Sequence, residues 1–361
     1  MRLKLSFLVL LPFIGPLLAG TALASDIQPV GTQKISVVSP TRDRALAVTV
    51  WYPSKGDGQT ASAGENPIFE SSTASRNATI EVGRFPLVLV SHGSGSRADG
   101  MGWIAIELAK AGFIVAGPNH PGTTSGDSTP EATPKIWERT QDISEVITAL
   151  SADPRFKTSV DKTRIGVLGF SLGGSTAIEL AGARADLDAY THYCRTNADM
   201  MDCRWFRGGR GFAGGEEVAV EPLNLDSVDR SRFEQSNRDA RISGAVLVDP
   251  GLVEALRPNS LGAIDIPLAF INLGSAGEIP AAVLSDALAK KAPKATYAQV
   301  NGANHFSFLP VCKPGAAEFL KSVGEPDPIC DENTGRSRAD THRELTGLIV
   351  SAFERSLKSG R

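Results

Sequence analysis

The fold of this chain is decided by RIGVLGFSLGGSTAIEL, residues 164 to 180. The apolar run before Ser171 predicts a buried strand, and the residues after it predict a helix. Gly169 and Gly173 bracket the serine in a G-x-S-x-G pattern, in which a sharp strand-to-helix turn projects the hydroxyl above a sheet. Side chains at the two flanking positions would collide in so tight a turn. A helix N-cap would explain Ser171 but not the paired glycines, so we interpret Ser171 as a nucleophile.

A serine nucleophile needs a base within hydrogen-bond reach and an acid that orients this base. With this kind of turn the chain order is Ser, then Asp or Glu, then His. His305 lies in NGANHFSF, just past the last predicted strand, where strand ends converge, and we predict that it is the base. His342 opens the terminal helix and is interpreted as a surface or capping residue.

The same chemistry needs N–H groups that bind an oxyanion. One predicted donor is the backbone N–H of Leu172 at the helix start, and the other is that of Ser94, between Gly93 and Gly95 after the strand FPLVLVSHG. The glycine-rich loop also matches the G-x-G-x-x-A pattern of dinucleotide-binding proteins. However, the next predicted strand ends in VAGPNHPG, with no acidic residue to hold a ribose. We therefore predict no nucleotide and no other cofactor.

Two histidines, His92 and His120, stand at the ends of predicted strands. Side chains at such positions more often hydrogen-bond neighbouring loops than line a pocket, and this is what we expect of both. None of the five histidines forms a close pair at ligand spacing, and the sequence has no Cys-x-x-Cys. No metal site is predicted.

After an opening strand pair the sequence alternates predicted strands and helices, and its strands are continuously apolar. This pattern predicts an α/β fold with a mostly parallel sheet of eight strands and helices on both faces.

Residues 55 to 84 are predicted to be a surface loop, and a helix is predicted from about 279 to 291. Residues 184 to 241 are too long for an ordinary connection. We predict that they form a lid-like insertion, with Trp205 and Phe206 as its apolar contacts.

Residues 1 to 24 have the pattern of a secretory signal peptide, because Arg2 and Lys4 precede an apolar run that ends in small residues at Ala24. We predict cleavage after Ala24, one domain over residues 25 to 361, and a secreted or periplasmic location. No later segment is long and apolar enough to span a membrane. Without Arg2 and Lys4 the chain has 35 basic and 40 acidic residues and no basic block, which argues against a nucleic-acid partner.

All four cysteines lie in the part that is predicted to be exported, where disulfides persist. Four cysteines allow three pairings. Cys194 and Cys203 share one loop-like region and Cys312 and Cys330 share another, so we predict the pairs Cys194–Cys203 and Cys312–Cys330.

Taken together, RIGVLGFSLGG, LVSHGSG, FIVAGPNHPG and NGANHFSF resemble the α/β-hydrolases of the predicted dienelactone hydrolase and platelet-activating-factor acetylhydrolase group. The resemblance extends from about residue 35 to residue 308, apart from residues 184 to 241. It implies the α/β-hydrolase fold and serine-dependent hydrolysis. In dienelactone hydrolases proper the nucleophile is a cysteine, so Ser171 points to a serine esterase instead.

Two residues are candidates for the acid. Many α/β-hydrolases place it after the strand that IPLAFINLG represents here, which would select Glu278. The acetylhydrolases place it one strand earlier, which selects Asp249 at the end of GAVLVDPG. Asp249 also precedes Pro250 and Gly251, where turn formation alone would favour an aspartate. We favour Asp249, because an acid that orients an imidazole needs the fixed geometry of a strand end.

The sequence therefore predicts a secreted or periplasmic carboxylic-ester hydrolase that acts on a small-molecule ester through an acyl-enzyme, without metal or cofactor. The alternatives are an amidase or peptidase with the same triad, and a non-catalytic binding module on the same fold.

Overall fold

The computed structural model describes residues 28–331 and 335–358. The predicted signal peptide, residues 1 to 24, lies outside the described residues. Within the two described ranges, no helix is long and apolar enough to cross a membrane.

Fourteen strands form within the described ranges. They are β1 (Val30–Ser39), β2 (Arg44–Pro53), β3 (Gln59–Ala63), β4 (Ser72–Arg76), β5 (Phe85–Ser91), β6 (Ile114–Pro118), β7 (Thr123–Thr124), β8 (Asp127–Ser128), β9 (Val160–Phe170), β10 (Gly211–Ala213), β11 (Glu216–Val218), β12 (Ile242–Val248), β13 (Leu268–Leu273) and β14 (Ala295–Val300).

The same ranges contain ten α-helices. They are α1 (Gly102–Lys110), α2 (Ile136–Ala152), α3 (Leu172–Ala181), α4 (Leu187–Thr196), α5 (Met201–Trp205), α6 (Arg230–Phe233), α7 (Pro258–Leu261), α8 (Asp286–Ala289), α9 (Ala316–Ser322) and α10 (Arg338–Phe353).

The main sheet has the strand order β14-β13-β12-β9-β5-β6-β2-β1-β4-β3. The six strands from β14 to β6 run parallel, and β2 joins them antiparallel. The prediction of eight strands was wrong, because β3 and β4 extend the edge beside β1 to make ten. Both come from residues 55 to 84, which were predicted to be a loop. Their sequences, QTASA and STASR, contain only small and polar residues, so neither shows the apolar alternation of a strand.

The sheet is buried on both faces, as its continuously apolar strands predict. Helices α2 and α3 cover one face, where Ile143, Val146 and Ile178 are fully buried. Helices α1 and α10 cover the other, where Leu108 and Ile349 are fully buried. Each such side chain contributes about 2 kcal/mol by leaving water. The two layers of helices hold the carboxyl ends of the parallel strands together at one end of the sheet. This is the end at which ligands bind in open α/β sheets.

The helix predicted from about residue 279 to residue 291 is mostly absent, because only α8 is helical there. Asn272 of β13 accounts for the difference. Its amide group donates to the carbonyl of Val283 and accepts from the backbone N–H of Ser285, at 2.8 and 2.9 Å. These backbone groups therefore bond to a side chain from the sheet instead of to a helix.

Residues 184–241, the predicted insertion, contain α4, α5, α6 and the β10–β11 hairpin. Tyr190, Phe206 and Phe233 are buried in one apolar cluster that also includes Leu172 and Leu252 from the body of the protein. The insertion is therefore ordered, and it packs on the carboxyl-terminal end of the sheet, where Ser171 lies. Phe206 lies in the interior of this cluster, edge-on to Tyr190 at 6.0 Å.

Two disulfides join Cys194 to Cys203 and Cys312 to Cys330, which are the predicted pairs. They close loops with sequence separations of 9 and 18 residues. Each bridge stabilises the fold by about 2 to 3 kcal/mol in the chain-entropy account.

His342 was interpreted as a surface or capping residue, and this was wrong. It is buried and stacks on Trp103, with ring centroids 3.8 Å apart, and its Nε2–H donates to the carbonyl of Leu309 at 3.0 Å. Burial lowers its pKa to about 4. The helical spacing from His342 to Leu345 and Ile349 places it on the core face of α10, a signal that the sequence contained.

Candidate active site

Ser171 occupies the turn between β9 and α3 with a positive φ of 54° and a ψ of −123°, a backbone conformation that residues other than glycine rarely adopt. A Cβ atom on Gly169 would lie 2.0 Å from the carbonyl oxygen of Gly173. A Cβ atom on Gly173 would lie 1.8 Å from the carbonyl oxygen of Ser91. No side chain fits at either position, which is the physical reason for the two glycines. The backbone N–H of Ser171 donates to the carbonyl of Val248 at 3.1 Å, which anchors the turn to the neighbouring strand.

The structure brings the three predicted triad residues together. His305 begins a one-turn 3-10 helix after β14, and its Nε2 atom is 3.1 Å from Ser171 Oγ. Its Nδ1 atom is 3.0 Å from Asp249 Oδ2. Phe170 stacks on the imidazole with ring centroids 4.9 Å apart. The ring is therefore held by hydrogen bonds at both nitrogens and by an aromatic face.

The carboxylate of Asp249 is fully buried at the end of β12. Its Oδ1 atom accepts hydrogen bonds from the backbone N–H of Leu273 and from the amide of Asn272, both at 2.8 Å. These donors and His305 hold both carboxylate oxygens in place. Glu278, the other candidate, is exposed, and among the described residues its side chain accepts only from the backbone N–H of Ser275, at 3.3 Å. The structure thus places Asp249, and not Glu278, against His305.

Asn272 is a site residue that the sequence reasoning missed. It is fully buried, and it links Asp249 to the segment around Val283 and Ser285. A single amide within the apolar strand IPLAFINLG was the available signal, because a buried amide requires partners.

The two predicted oxyanion donors flank Ser171. Leu172 is the first residue of α3, where backbone N–H groups have no acceptor within the helix. On the other side, a Cβ atom on Gly93 would lie 3.2 Å from Ser171 Cβ, so the loop that carries Ser94 touches Ser171. Among the described residues, the Ser94 N–H has no hydrogen-bond acceptor.

His92 and His120 lie beneath this loop and are fully buried. As expected, both hydrogen-bond nearby groups: His92 Nδ1 to the carbonyl of Gly93 at 2.7 Å, and His120 Nε2 to Ser91 Oγ at 3.0 Å. Burial, and then the charge of Arg139, lowers the pKa of each imidazole well below its usual value. Both rings are therefore neutral near pH 7.

The sequence reasoning also missed Arg139 and Asp142, two buried charged residues on α2. They lie at the same helical spacing as the apolar residues Ile143 and Val146, so they fall on the face of the helix that packs on the sheet. Charged residues on such a face are rare unless they are paired, which was the available signal. In the chain that the structure describes, no group of three or more His, Cys, Asp or Glu side chains could hold a metal ion.

Neither the family models nor the curated proteins give a match to this sequence. Among solved structures, the chain is similar to a ferulic acid esterase from Streptomyces cinnamoneus, with a TM-score of 0.58 and 18% sequence identity. The alignment covers 94% of this chain and 93% of that one. A likeness at this identity shows the fold, and the protein accordingly has the α/β-hydrolase fold.

Proposed function

We propose that the protein is a serine hydrolase that cleaves carboxylic esters of small molecules through an acyl-enzyme. The observation that carries the proposal is the unbroken hydrogen-bonded series from Asp249 through His305 to Ser171. A base beside the hydroxyl and an acid beside the base are what serine needs to act as a nucleophile. The ester-cleaving activity in the name of the structural neighbour, together with the resemblance to the acetylhydrolase group, supports ester over amide substrates.

In this mechanism His305 Nε2 accepts the Ser171 proton as Oγ attacks the ester carbonyl. Asp249 stabilises the imidazolium that forms, without itself taking a proton. The N–H groups of Leu172 and Ser94 bind the oxyanion of the tetrahedral intermediate. His305 then protonates the leaving alcohol. A water molecule, activated by the same imidazole, hydrolyses the acyl-enzyme and restores Ser171.

The purified protein should hydrolyse p-nitrophenyl acetate and other p-nitrophenyl esters, and it should cleave p-nitroacetanilide at least about 100-fold more slowly. A p-nitrophenolate leaves far more readily than an unprotonated p-nitroanilide anion, so an enzyme that does not protonate the departing nitrogen favours the ester. Steady-state kinetics on both substrates measures the ratio. Comparable rates on the anilide would favour an amidase or peptidase. No activity on either class would favour a non-catalytic binding module.

We also propose that residues 184–241 act as a lid, together with the segment closed by the second disulfide. Two ion pairs join these parts: Arg204 with Asp327 at 3.0 Å and Arg210 with Glu325 at 3.1 Å. The second disulfide segment continues into Asp331, whose carbonyl accepts from the side chain of Asn304, the residue before His305, at 3.2 Å. The ion pairs thus connect the insertion to a segment that contacts the residue beside the proposed base.

Trp205→Ala should change the ratio of octanoate to acetate hydrolysis by at least about threefold, since an aromatic wall beside the site limits acyl length. Trp205 packs on the apolar cluster that includes Leu172, and its Nε1–H donates to Thr133 Oγ1 at 2.9 Å. The control Trp205→Phe keeps an aromatic ring and should keep the ratio. An unchanged chain-length profile in Trp205→Ala would mean that the insertion is not a lid.

We further propose that the protein is exported, in a secreted or periplasmic location. Its two disulfides support this, because such bonds persist in oxidising compartments.

A further inference from the structure

A network of buried polar side chains lies beneath the loop that carries Ser94, and the proposed reaction does not use it directly. Asp142 accepts from His120 Nδ1–H at 2.8 Å and from two nitrogens of Arg42, each at 2.8 Å. With Nδ1 protonated, His120 Nε2 accepts from the hydroxyl of Ser91. Ser91 ends β5, immediately before the loop. The network therefore anchors the last residue of the strand from which the loop departs.

Arg139 connects this network to both sides of the site. Its guanidinium is fully buried and donates to the carbonyl of His92 and, at 3.2 Å, to Ser91 Oγ, both at the base of the loop. It donates to Thr123 Oγ1 at 2.5 Å and to Thr176 Oγ1 at 3.0 Å. Thr176 lies on α3. One rigid, planar cation thus ties the strand end before the loop to the helix that begins beside Ser171.

Thr176 links Arg139 to Leu172, one of the two proposed oxyanion donors. Its Oγ1 atom donates to the carbonyl of Leu172, one helical turn earlier, at 3.2 Å while it accepts from Arg139. The first turn of α3, whose Leu172 N–H faces the proposed oxyanion, is therefore linked through one hydroxyl to the guanidinium.

His92 fixes the other proposed donor, the N–H of Ser94. Its Nε2 atom accepts from the backbone N–H of His120 at 3.1 Å, so Nδ1 bears the proton and donates to the carbonyl of Gly93. The carbonyl of Gly93 also accepts from the N–H of Ser96 at 3.2 Å. The Gly93–Ser94 peptide is planar and trans, so fixing its carbonyl fixes its N–H in the opposite direction. That N–H is the Ser94 donor.

We propose that Arg139, Thr176 and His92 are positioning residues that set the distance and direction between the two oxyanion donors, the N–H groups of Ser94 and Leu172. This inference rests on the proposed function. An oxyanion hole is effective only when its donors are preorganised, because donors that must reorient during the reaction lose part of their effect. A buried guanidinium is costly to desolvate, and a core that served packing alone would be as stable with apolar side chains.

Thr176→Val tests the helix side of the connection. The substitution preserves shape, removes the acceptor for Arg139, and leaves Ser171, His305 and Asp249 untouched. We expect kcat for p-nitrophenyl acetate to fall about tenfold with KM unchanged, because small misplacements at a reacting centre have effects of this order or larger. The matched control is Thr148→Val on α2. Thr148 also donates to the carbonyl one turn earlier and accepts from an arginine, Arg241, but it is exposed on the protein surface.

His92→Leu and His92→Asn test the loop side. Leucine removes the donor to the Gly93 carbonyl, whereas asparagine places an amide N–H near the position of Nδ1. We expect kcat to fall about 100-fold in His92→Leu, as when an oxyanion donor is lost. His92→Asn should recover most of this loss. If His92 served packing alone, the polar asparagine would not give a higher kcat than the apolar leucine.

Affinity for a trifluoromethyl ketone distinguishes positioning from general destabilisation. Its adduct with Ser171 places an oxyanion between the donors, so its inhibition constant should rise in parallel with the fall in kcat. Ile147→Val, a buried substitution on α2 that removes one methyl group from the core, controls for lost stability and should leave both values unchanged. If His92→Leu does not fold, Thr176→Val and His92→Asn still decide the matter.

Wild-type kcat and inhibitor affinity in Thr176→Val and His92→Leu, in a protein whose activity requires Ser171, would overturn this inference and leave the proposed function standing. A fall in kcat without a change in inhibitor affinity would also overturn it, since the oxyanion donors would then be unaffected. Activity that persists without Ser171 would instead overturn the proposed function.

Discussion

Ser171→Ala is expected to lose ester hydrolysis, with kcat lower by about 10⁶-fold, while the protein remains folded. The substitution removes only the hydroxyl, whose partner is His305 Nε2 at 3.1 Å. Serine and alanine both carry a Cβ atom and meet the same restriction at the positive φ of this turn, so the melting temperature should stay close to that of the wild type. Hydrolysis of p-nitrophenyl acetate and thermal unfolding measure the two quantities.

Covalent labelling provides the control for this result. A fluorophosphonate should label the wild type on the peptide that contains Ser171 and should fail to label Ser171→Ala. Ser175→Ala should still be labelled, because the Ser175 hydroxyl, on the same helix, is buried and donates to the carbonyl of Gly251 at 2.8 Å. Near-normal hydrolysis by Ser171→Ala would refute both the nucleophile and the proposed function.

Asp249→Asn is expected to lower kcat by about 10⁴-fold, as when the acid of a serine triad becomes an amide. The Asp249 carboxylate accepts from His305 Nδ1–H, from Asn272 and from the backbone N–H of Leu273. An asparagine here has only one side-chain oxygen, and an NH₂ group replaces the other. If the oxygen still accepts from Asn272 and from the N–H of Leu273, the NH₂ group faces His305 Nδ1 and favours the wrong tautomer of the imidazole.

Glu278→Gln is the matched control, because it makes the same chemical change at the other candidate acid. It should leave kcat within about twofold of the wild type, since Glu278 is exposed and bonded only to its own loop. Circular dichroism and melting temperature confirm that both variants are folded. The reverse pattern, a large loss only in Glu278→Gln, would move the acid to Glu278 and weaken the acetylhydrolase resemblance.

The sequence by itself determined those features that neighbouring residues specify. The apolar run and the spacing of Gly169 and Gly173 define the turn at Ser171, because the steric conflict that excludes a side chain at Gly169 is with Gly173 of the same turn. The conflict at Gly173 is with Ser91 of β5 and depends on the packed sheet. The continuously apolar strands define a sheet buried on both faces. The short separations within each cysteine pair favour the two disulfides that the structure contains.

Only the tertiary structure decided features that depend on distant residues. Strands β3 and β4 lack apolar alternation, and they exist because β1 offers them an edge. Residues 279 to 285 would be helical by pattern, but Asn272 on a neighbouring strand bonds to the carbonyl of Val283 and to the N–H of Ser285. The position of Asp249, and not Glu278, beside His305 follows in the same way from where β12 and β14 end. Arg139 satisfies its guanidinium with partners from three separate segments, and no window of sequence contains that information, because burial and hydrogen bonding are set by the whole packed fold.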